Sequence, residues 1–347
     1  MNKIITYIGE RPAANNHAGN KARLDINTVL QETYGTPIEV QEEIVFSSFI
    51  QKVKFVLNIS NLKAIWHISQ MQSKNIILQY PFYFNPIVKR AQMRMMKKNK
   101  VIFLIHDVDA LRNFQEARIE EEINELNLAQ AVIVHNDIMG KALQKLGLKV
   151  PWFSLTLFDY LLPNIPQKVF SKGTVIAFAG NLGKSKFLRN AEMETLGLHF
   201  NLYGPGFKEE VIKWNNVSYK GSFPPDEVPF KLEGNFGLIW DGTDVRTCDG
   251  PTGTYMKYNN PHKLSLYIAA GLPVIVWKQA AVAEFVTTHK IGIVVESLKE
   301  ISEKFKALPV SEYHEMIMAV KKLQKQIVSG NFTKRCLEAV EKQIFNS

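Results

Sequence analysis

The chain has 347 residues, 46% hydrophobic and 22% charged, which is enough for two soluble domains with a core each. Its net charge of +9 is spread over both halves and points to anionic partners (phosphorylated small molecules, an acidic membrane surface, nucleic acid) or to plain solubility. Two cysteines, Cys248 and Cys336, exclude a disulfide framework or a Cys-based zinc site and fit a reducing cytosol, and no apolar run approaches the roughly 20 residues of a membrane-spanning helix.

In chain order, residues 3–8 form a short apolar strand with no signal-peptide pattern. A polar loop over 9–20 and a helix over 21–30 follow. Strand, loop, helix is the opening of a Rossmann-like unit. The pattern recurs with a strand at 75–80 ended by Pro81 and a wholly apolar strand at 101–105, as expected of a parallel strand buried on both faces. An acidic helix spans about 114–131, a strand 131–134, and a further helix ends near Gly147. Residues 149–167, with Pro151, Pro163 and Pro166, read as the crossover between domains. A second alternating series has strands at 174–178, 198–203, 236–240, 273–277 and 291–295, and a helix at 263–270 closed by Gly271. The expected organisation is α/β: an N-terminal Rossmann-like domain over 1–160 and a C-terminal one over 161–347, facing one cleft. The last helix is free to pack back on the first domain.

The residues that could carry chemistry sit where strands end. The densest polar stretch, 241–265, follows a buried strand and leads into the helix near His262. A helix start offers N–H groups and a positive dipole end to phosphate. Lys263 in that first turn opposes the dipole, which makes it a diphosphate clamp or a merely solvated lysine. The loop 179–186 carries Gly180, Asn181, Gly183, Lys184 and Lys186, and matches neither GxGxxG nor the P-loop. His106, Asp107 and Asp109 directly follow the strand ending at Ile105. Asp107 is placed for base work there, with His106 as second choice, or else caps the next turn. His135 and Asn136 follow another strand, as candidates or as an ordinary polar strand end. Residues 86–100 hold six basic and no acidic residues among methionines. They read as a membrane-surface helix or as a domain helix with one core face. Nothing in the chain suggests a nucleic-acid-binding module.

Ile105-His-Asp-Val-Asp-Ala-Leu-Arg112, Phe158-Asp-Tyr-Leu161, Ala179-Gly-Asn-Leu182, Phe236-Gly-Leu-Ile-Trp-Asp-Gly242 and Asn259-Asn-Pro-His-Lys-Leu-Ser-Leu-Tyr267 form an ordered set, preceded by Ala18-Gly-Asn-Lys-Ala-Arg-Leu-Asp25. In order and spacing this set resembles the bacterial β-1,6-galactofuranosyltransferases of polysaccharide synthesis. More distantly it resembles the accessory glucosyltransferases that extend O-linked GlcNAc on serine-rich adhesins. The resemblance implies a GT-B fold and a glycosyltransferase that moves a galactofuranosyl, glucosyl or GlcNAc group to a glycan or glycosylated protein. It implies a UDP-sugar donor held by the second domain, and neither cofactor nor metal. An arginine of the glucosyltransferase branch is replaced here by Lys184, which keeps the charge and loses a bidentate grip. The implied donor-site residues are Asn181, Lys184, Asp241, Asp249, His262, Lys263, Leu264 and Ser265, with Asn20 and Arg23 from the first loop and helix. The resemblance further implies a cytoplasmic homo-oligomer, dimer or tetramer, with peripheral membrane contact as an option. The competing class is a catalytically silent partner subunit. An epimerase or dehydrogenase would show GxGxxG after the first strand, where Gly9-Glu-Arg-Pro stands instead.

Overall fold

The computed structural model describes residues 5–11, 18–35, 38–41, 66, 69–72, 74–81, 93–168 and 171–345. The first half runs β1 (Ile5–Arg11), α1 (Ala18–Tyr34), β2 (Ile38–Gln41), β3 (Asn75–Tyr80), β4 (Lys100–Ile105), α2 (Asp109–Arg112), α3 (Glu116–Leu126), β5 (Ala131–Val134), α4 (Asp137–Lys145) and β6 (Trp152–Ser154). All neighbouring strands pair in parallel, in the order β2-β1-β3-β4-β5-β6. The strands alternate their side chains between two cores, as the period of two requires. Ile76, Leu78, Val101, Phe103 and Ile105 face one, while Ile77, Ile102 and Leu104 face the other. β2 and β6, four and three residues long, carry too little pattern to be read from sequence. Of the basic stretch, residues 86–92 lie outside the described residues. In the remainder Met95 and Met96 are buried while Arg94, Lys97 and Lys98 are exposed, so this part is a domain helix with a core face.

The second half runs β7 (Val175–Ala179), β8 (His199–Tyr203), β9 (Val217–Gly221), β10 (Phe236–Ile239), α5 (Gly250–Tyr255), α6 (His262–Ala269), β11 (Val274–Trp277), α7 (Ala283–Thr288), β12 (Gly292–Val295), α8 (Val310–Ile327) and α9 (Asn331–Val340). Its parallel order, β12-β11-β10-β7-β8-β9, is that of the dinucleotide-binding Rossmann sheet. The order reverses between β7 and β10, and ligands of such sheets bind at that switch point. The loops after β7 and β10 are therefore brought side by side. Gly204, with φ +124°, ends β8 where any Cβ would strike the Gly180 carbonyl, so the β8 end can lie against the β7 loop.

The halves are joined through the crossover. Phe158 O accepts a 2.6 Å bond from Ser265 Oγ of α6, Tyr160 N donates to Ile327 O of α8, and Leu161 N donates to Asp25 of α1. Lys21 of α1 reaches both Asp25 (2.7 Å) and Asp226 of the second half (2.6 Å). α9 returns to the first sheet, where Cys336, Leu337 and Val340 share a core with Ile77, Ile102 and Leu104. Asp159, 1% exposed, caps α9 by accepting from Phe332 N (3.2 Å) and Thr333 N (2.7 Å). Both cysteines are free and buried, and among the described residues no helix is long and apolar enough to cross a membrane.

Burial pushes the Asp159 carboxyl up to about 6, against the pull of the N–H groups it accepts from. Its folded pKa thus lies above the ordinary one. Its contribution to stability is complete at low pH and is lost as pH rises through about 6. Asp159→Asn keeps an acceptor and removes that titration, so it gains on wild type in urea unfolding as pH rises from about 4 to about 7. Asp159→Ala strips the cap and costs about 1–2 kcal/mol. A wild-type-minus-Asn difference independent of pH contradicts this assignment.

Candidate active site

The carboxyl ends of both sheets open on one cavity of about 400 Å³. The first half contributes Asn20 and Arg23 of α1, His106, Asp107 and Arg112 after β4, and His135 after β5. The second half contributes Asp241 after β10, Thr252 and Tyr255 of α5, Asn260, and His262 and Lys263 of α6. Phe158 of the crossover lies between them.

Three imidazoles surround Phe158. Their ring centroids lie 5.4 Å (His106), 4.8 Å (His135) and 6.3 Å (His262) from the phenyl ring, and Tyr160 stacks on His262 at 5.1 Å. Burial keeps all three neutral. It lowers His106 well below its ordinary value, with Arg23 adding to the effect, and takes His135 and His262 to about 4. Gln79 donates through Nε2 to Asn27 (2.7 Å), which orients its amide so that Oε1 faces His106 Nε2. An amide oxygen only accepts, so His106 carries its proton on Nε2. A neutral imidazole with so depressed a pKa is a poor base at neutral pH. His135 Nδ1 accepts from Asn260 N (3.0 Å), and Asn260 Nδ2 donates to the His135 and Thr156 carbonyls. His135 and Asn136 are therefore a brace between the halves: Asn136 caps α4 and donates to Tyr258 O and Asn260 Oδ1.

Asp107 differs from the histidines. Burial raises its carboxyl to about 6 and Arg112, at 2.7 Å, opposes that rise. It is then mostly ionised at neutral pH yet basic enough to take a proton. It does not cap the next turn, because that work falls to Glu122 of α3. The Glu122 carboxylate accepts from Asp109 N (3.0 Å), Ala110 N (2.7 Å) and Tyr80 Oη (3.1 Å). Tyr255 of the second half accepts from Val108 N at 3.0 Å, so one residue of each half holds the Asp107 loop.

On the opposite wall, α6 begins at His262 with no side-chain cap. Lys263 lies over the Phe178 ring, its Nζ 4.9 Å from the centroid, with its side chain against Gly180. Asp241 Oδ1 accepts from Gly242 N (2.8 Å) and Thr252 Oγ1 (2.9 Å), which fixes it at the β10 end.

The remaining expected residues fall elsewhere. Asp249 turns into its own loop, accepting from Thr243 and Asp244, and does not line the cavity. Burial would raise its carboxyl, but these bonds outweigh burial and hold it below the ordinary range. Leu264 and Ser265 are buried on the inner face of α6, where Ser265 serves the crossover. Asn181 and Lys184 are exposed on the β7 loop beside the cavity rather than on its wall. That loop is tied to the β10 loop by Phe187 N donating to Gly242 O at 3.0 Å. Arg112, Tyr255, Thr252, Asn260 and Phe158 were not expected in the site. Thr252, Tyr255 and Asn260 fall within the polar stretch 241–265, Phe158, Asn260 and Arg112 within the motifs quoted above, and Arg112 is a cation five residues past Asp107. Among the described residues no three His, Cys, Asp or Glu side chains gather into a metal-holding group.

Residues 2–157 match the model of the Glucosyltransferase 3-like N-terminal domain, and residues 176–340 that of the Glucosyltransferase 3-like C-terminal domain. The chain is 30% identical over 334 residues to the beta-1,6-galactofuranosyltransferase WbbI of Escherichia coli (strain K12), covering 93% of this chain and 94% of that protein. It is 33% identical over 271 residues to glucosyltransferase 3 of Streptococcus gordonii, covering 76% and 77%. Among solved structures it is similar to a UDP-forming alpha,alpha-trehalose-phosphate synthase from Burkholderia vietnamiensis, with a TM-score of 0.56 at 10% identity over 97% of this chain and 100% of that one. That likeness is one of fold, GT-B.

Arg112 holds the Asp107 carboxyl down against burial, so Arg112→Met raises the Asp107 pKa above about 6. Carboxyl-carbon NMR titration of the folded variant measures it. A value unchanged or lower contradicts the electrostatics described here.

Proposed function

As the chain belongs to the glucosyltransferase 3-like family and is a glycosyltransferase of GT-B fold, we propose that it transfers a hexosyl group from a UDP-sugar to a glycan or glycosylated-protein acceptor. The observation that carries the reading is the uncapped start of α6, with Lys263 beside it, at the switch point of the second sheet and across the cleft from Asp107. The diphosphate seats against that helix start and Lys263. Negative charge that grows on departing UDP is met there by a cation and a positive dipole end already in place. No metal ion is needed in this reading, because those two groups neutralise the leaving diphosphate. Lys184 and Asn181, on the adjoining loop, close over the nucleotide side, and Asp241 takes sugar hydroxyls.

Asp107 accepts the proton of the acceptor hydroxyl as its oxygen attacks the anomeric carbon and the bond to the diphosphate breaks. Direct displacement inverts that carbon. His106, neutral and held by Gln79, orients the acceptor and does not take the proton. The near full-length likeness to a galactofuranosyltransferase favours a galactofuranosyl donor, with glucosyl or GlcNAc donors as the rival. A cytoplasmic location, peripheral membrane contact and assembly as a dimer or tetramer belong to the same proposal and rest on the family resemblance.

The test is UDP release and product formation against a panel of UDP-hexoses, with acceptor present. At least one donor is turned over. Lys263→Ala lowers kcat/KM by about 10²–10³ and Asp107→Asn by about 10²–10⁴. The acid limb of kcat/KM has an apparent pKa near 6, above the ordinary carboxylate range, with activity lost as pH falls through it. If both folded variants keep wild-type turnover, the site is elsewhere.

A further inference from the structure

A second cavity, of about 680 Å³, lies on the other side of the crossover, between β6 and α9 of the first layer and α7 and α8 of the second. Nothing in the reaction described above uses it. Its floor is apolar: Leu155, Leu323, Phe332 and Cys336 are buried there, with Phe285 partly so. Its rim carries Lys290, Lys322 and Arg335, all exposed, against one carboxylate, Glu315. Among the described residues these three cations form no ion pair. His289 on the same rim is lowered by burial and by Lys322, which places a neutral ring rather than a further cation beside it.

The backbone fixes two of the lining residues in place. Three described non-glycine residues have φ in the left-handed region, and two of them, Thr156 (+70°) and Lys290 (+52°), line this cavity. Thr156 is held there by the bond from Asn260 to its carbonyl, and Lys290 by the bonds that close α7, Lys290 N to Thr287 O and Ile291 N to Val286 O. Lys290 stands just past the end of α7, where glycine is the usual residue. A lysine kept in that conformation puts an ammonium group on the rim.

We infer that this cavity binds a single-chain amphiphilic phosphate, its apolar tail on the floor and its head among Lys290, Lys322 and Arg335. The volume falls in the range of small-molecule sites. The planar Arg335 guanidinium matches a phosphate bidentately, and the two lysines add point charges. The tail covers the apolar surface still open to water on Phe285, Ala319 and Ala339, which an inorganic anion would leave wet. A ligand there touches both halves, since β6 is the edge strand of the first sheet with α9 packed on that sheet, while α7 and α8 belong to the core of the second.

The probe is decyl phosphate below its micelle concentration, with inorganic phosphate and decanol as separate arms, read by thermal unfolding of the full chain. Binding to the native state alone raises Tm saturably, by about 2 °C at ten times Kd for a chain of this size. Lys322→Glu/Arg335→Glu, which alters exposed side chains only, binds at least tenfold more weakly while its ligand-free Tm stays near wild type. The proposal is overturned if decyl phosphate gives no rise or a fall. It is overturned equally if the charge-reversed chain responds like wild type, or if phosphate alone or decanol alone reproduces the shift.

Discussion

The burial of the crossover, residues 157–161, is the constraint on which the site depends. Four of its residues, 158–161, are each bound to an element of one half or the other. Phe158 O is taken by α6, Asp159 by the start of α9, Tyr160 N by the end of α8, and Leu161 N by Asp25 of α1. Only with this strand of chain fixed do the carboxyl ends of two separate sheets face one cavity. Each bond is worth about 1 kcal/mol, but several act on four consecutive residues, three of them buried and Leu161 partly so, and the joint is specified rather than merely permitted.

That joint also sets the electrostatics. Removing water from around Phe158 makes three imidazoles neutral and raises the Asp107 carboxyl, by the same desolvation acting on groups of opposite charge type. Among the described residues that the first half places on the cavity wall, Asp107 is thereby the one titratable group left suited to proton transfer near neutral pH. The second half meets it with an uncapped helix and a lysine, a wall suited to an anion. On the proposed reading, acid–base work and charge neutralisation fall on opposite sides of one cleft, as displacement of a diphosphate from a sugar requires.

Much of the fold was legible because long apolar strands alternate with amphipathic helices. β3 and β5 fall where the pattern put them, and β4 begins only one residue earlier. β2, β6 and β9 escaped because short or edge strands bury little and carry weak periodicity. In the site, Asp107, Asp241, His262 and Lys263 were legible as polar residues at strand and helix ends. That Asp249 pins its own turn off the cavity wall was not legible, because a polar residue in a polar loop gives no sign of whether it faces outward or inward. Leu264 and Ser265 were carried by a motif that reports helix packing as much as binding. Tyr255 could not be found, since its role depends on contact with a loop 147 residues earlier.

A crystal structure of the chain with UDP tests the central claim most directly. Both phosphates are expected at the start of α6, with their oxygens within about 3.2 Å of the Lys263 ammonium or of first-turn N–H groups and the β-phosphate facing Asp107 across the cleft. UDP bound on another face, or in this cleft with its phosphates turned away from α6 and Lys263, would contradict it.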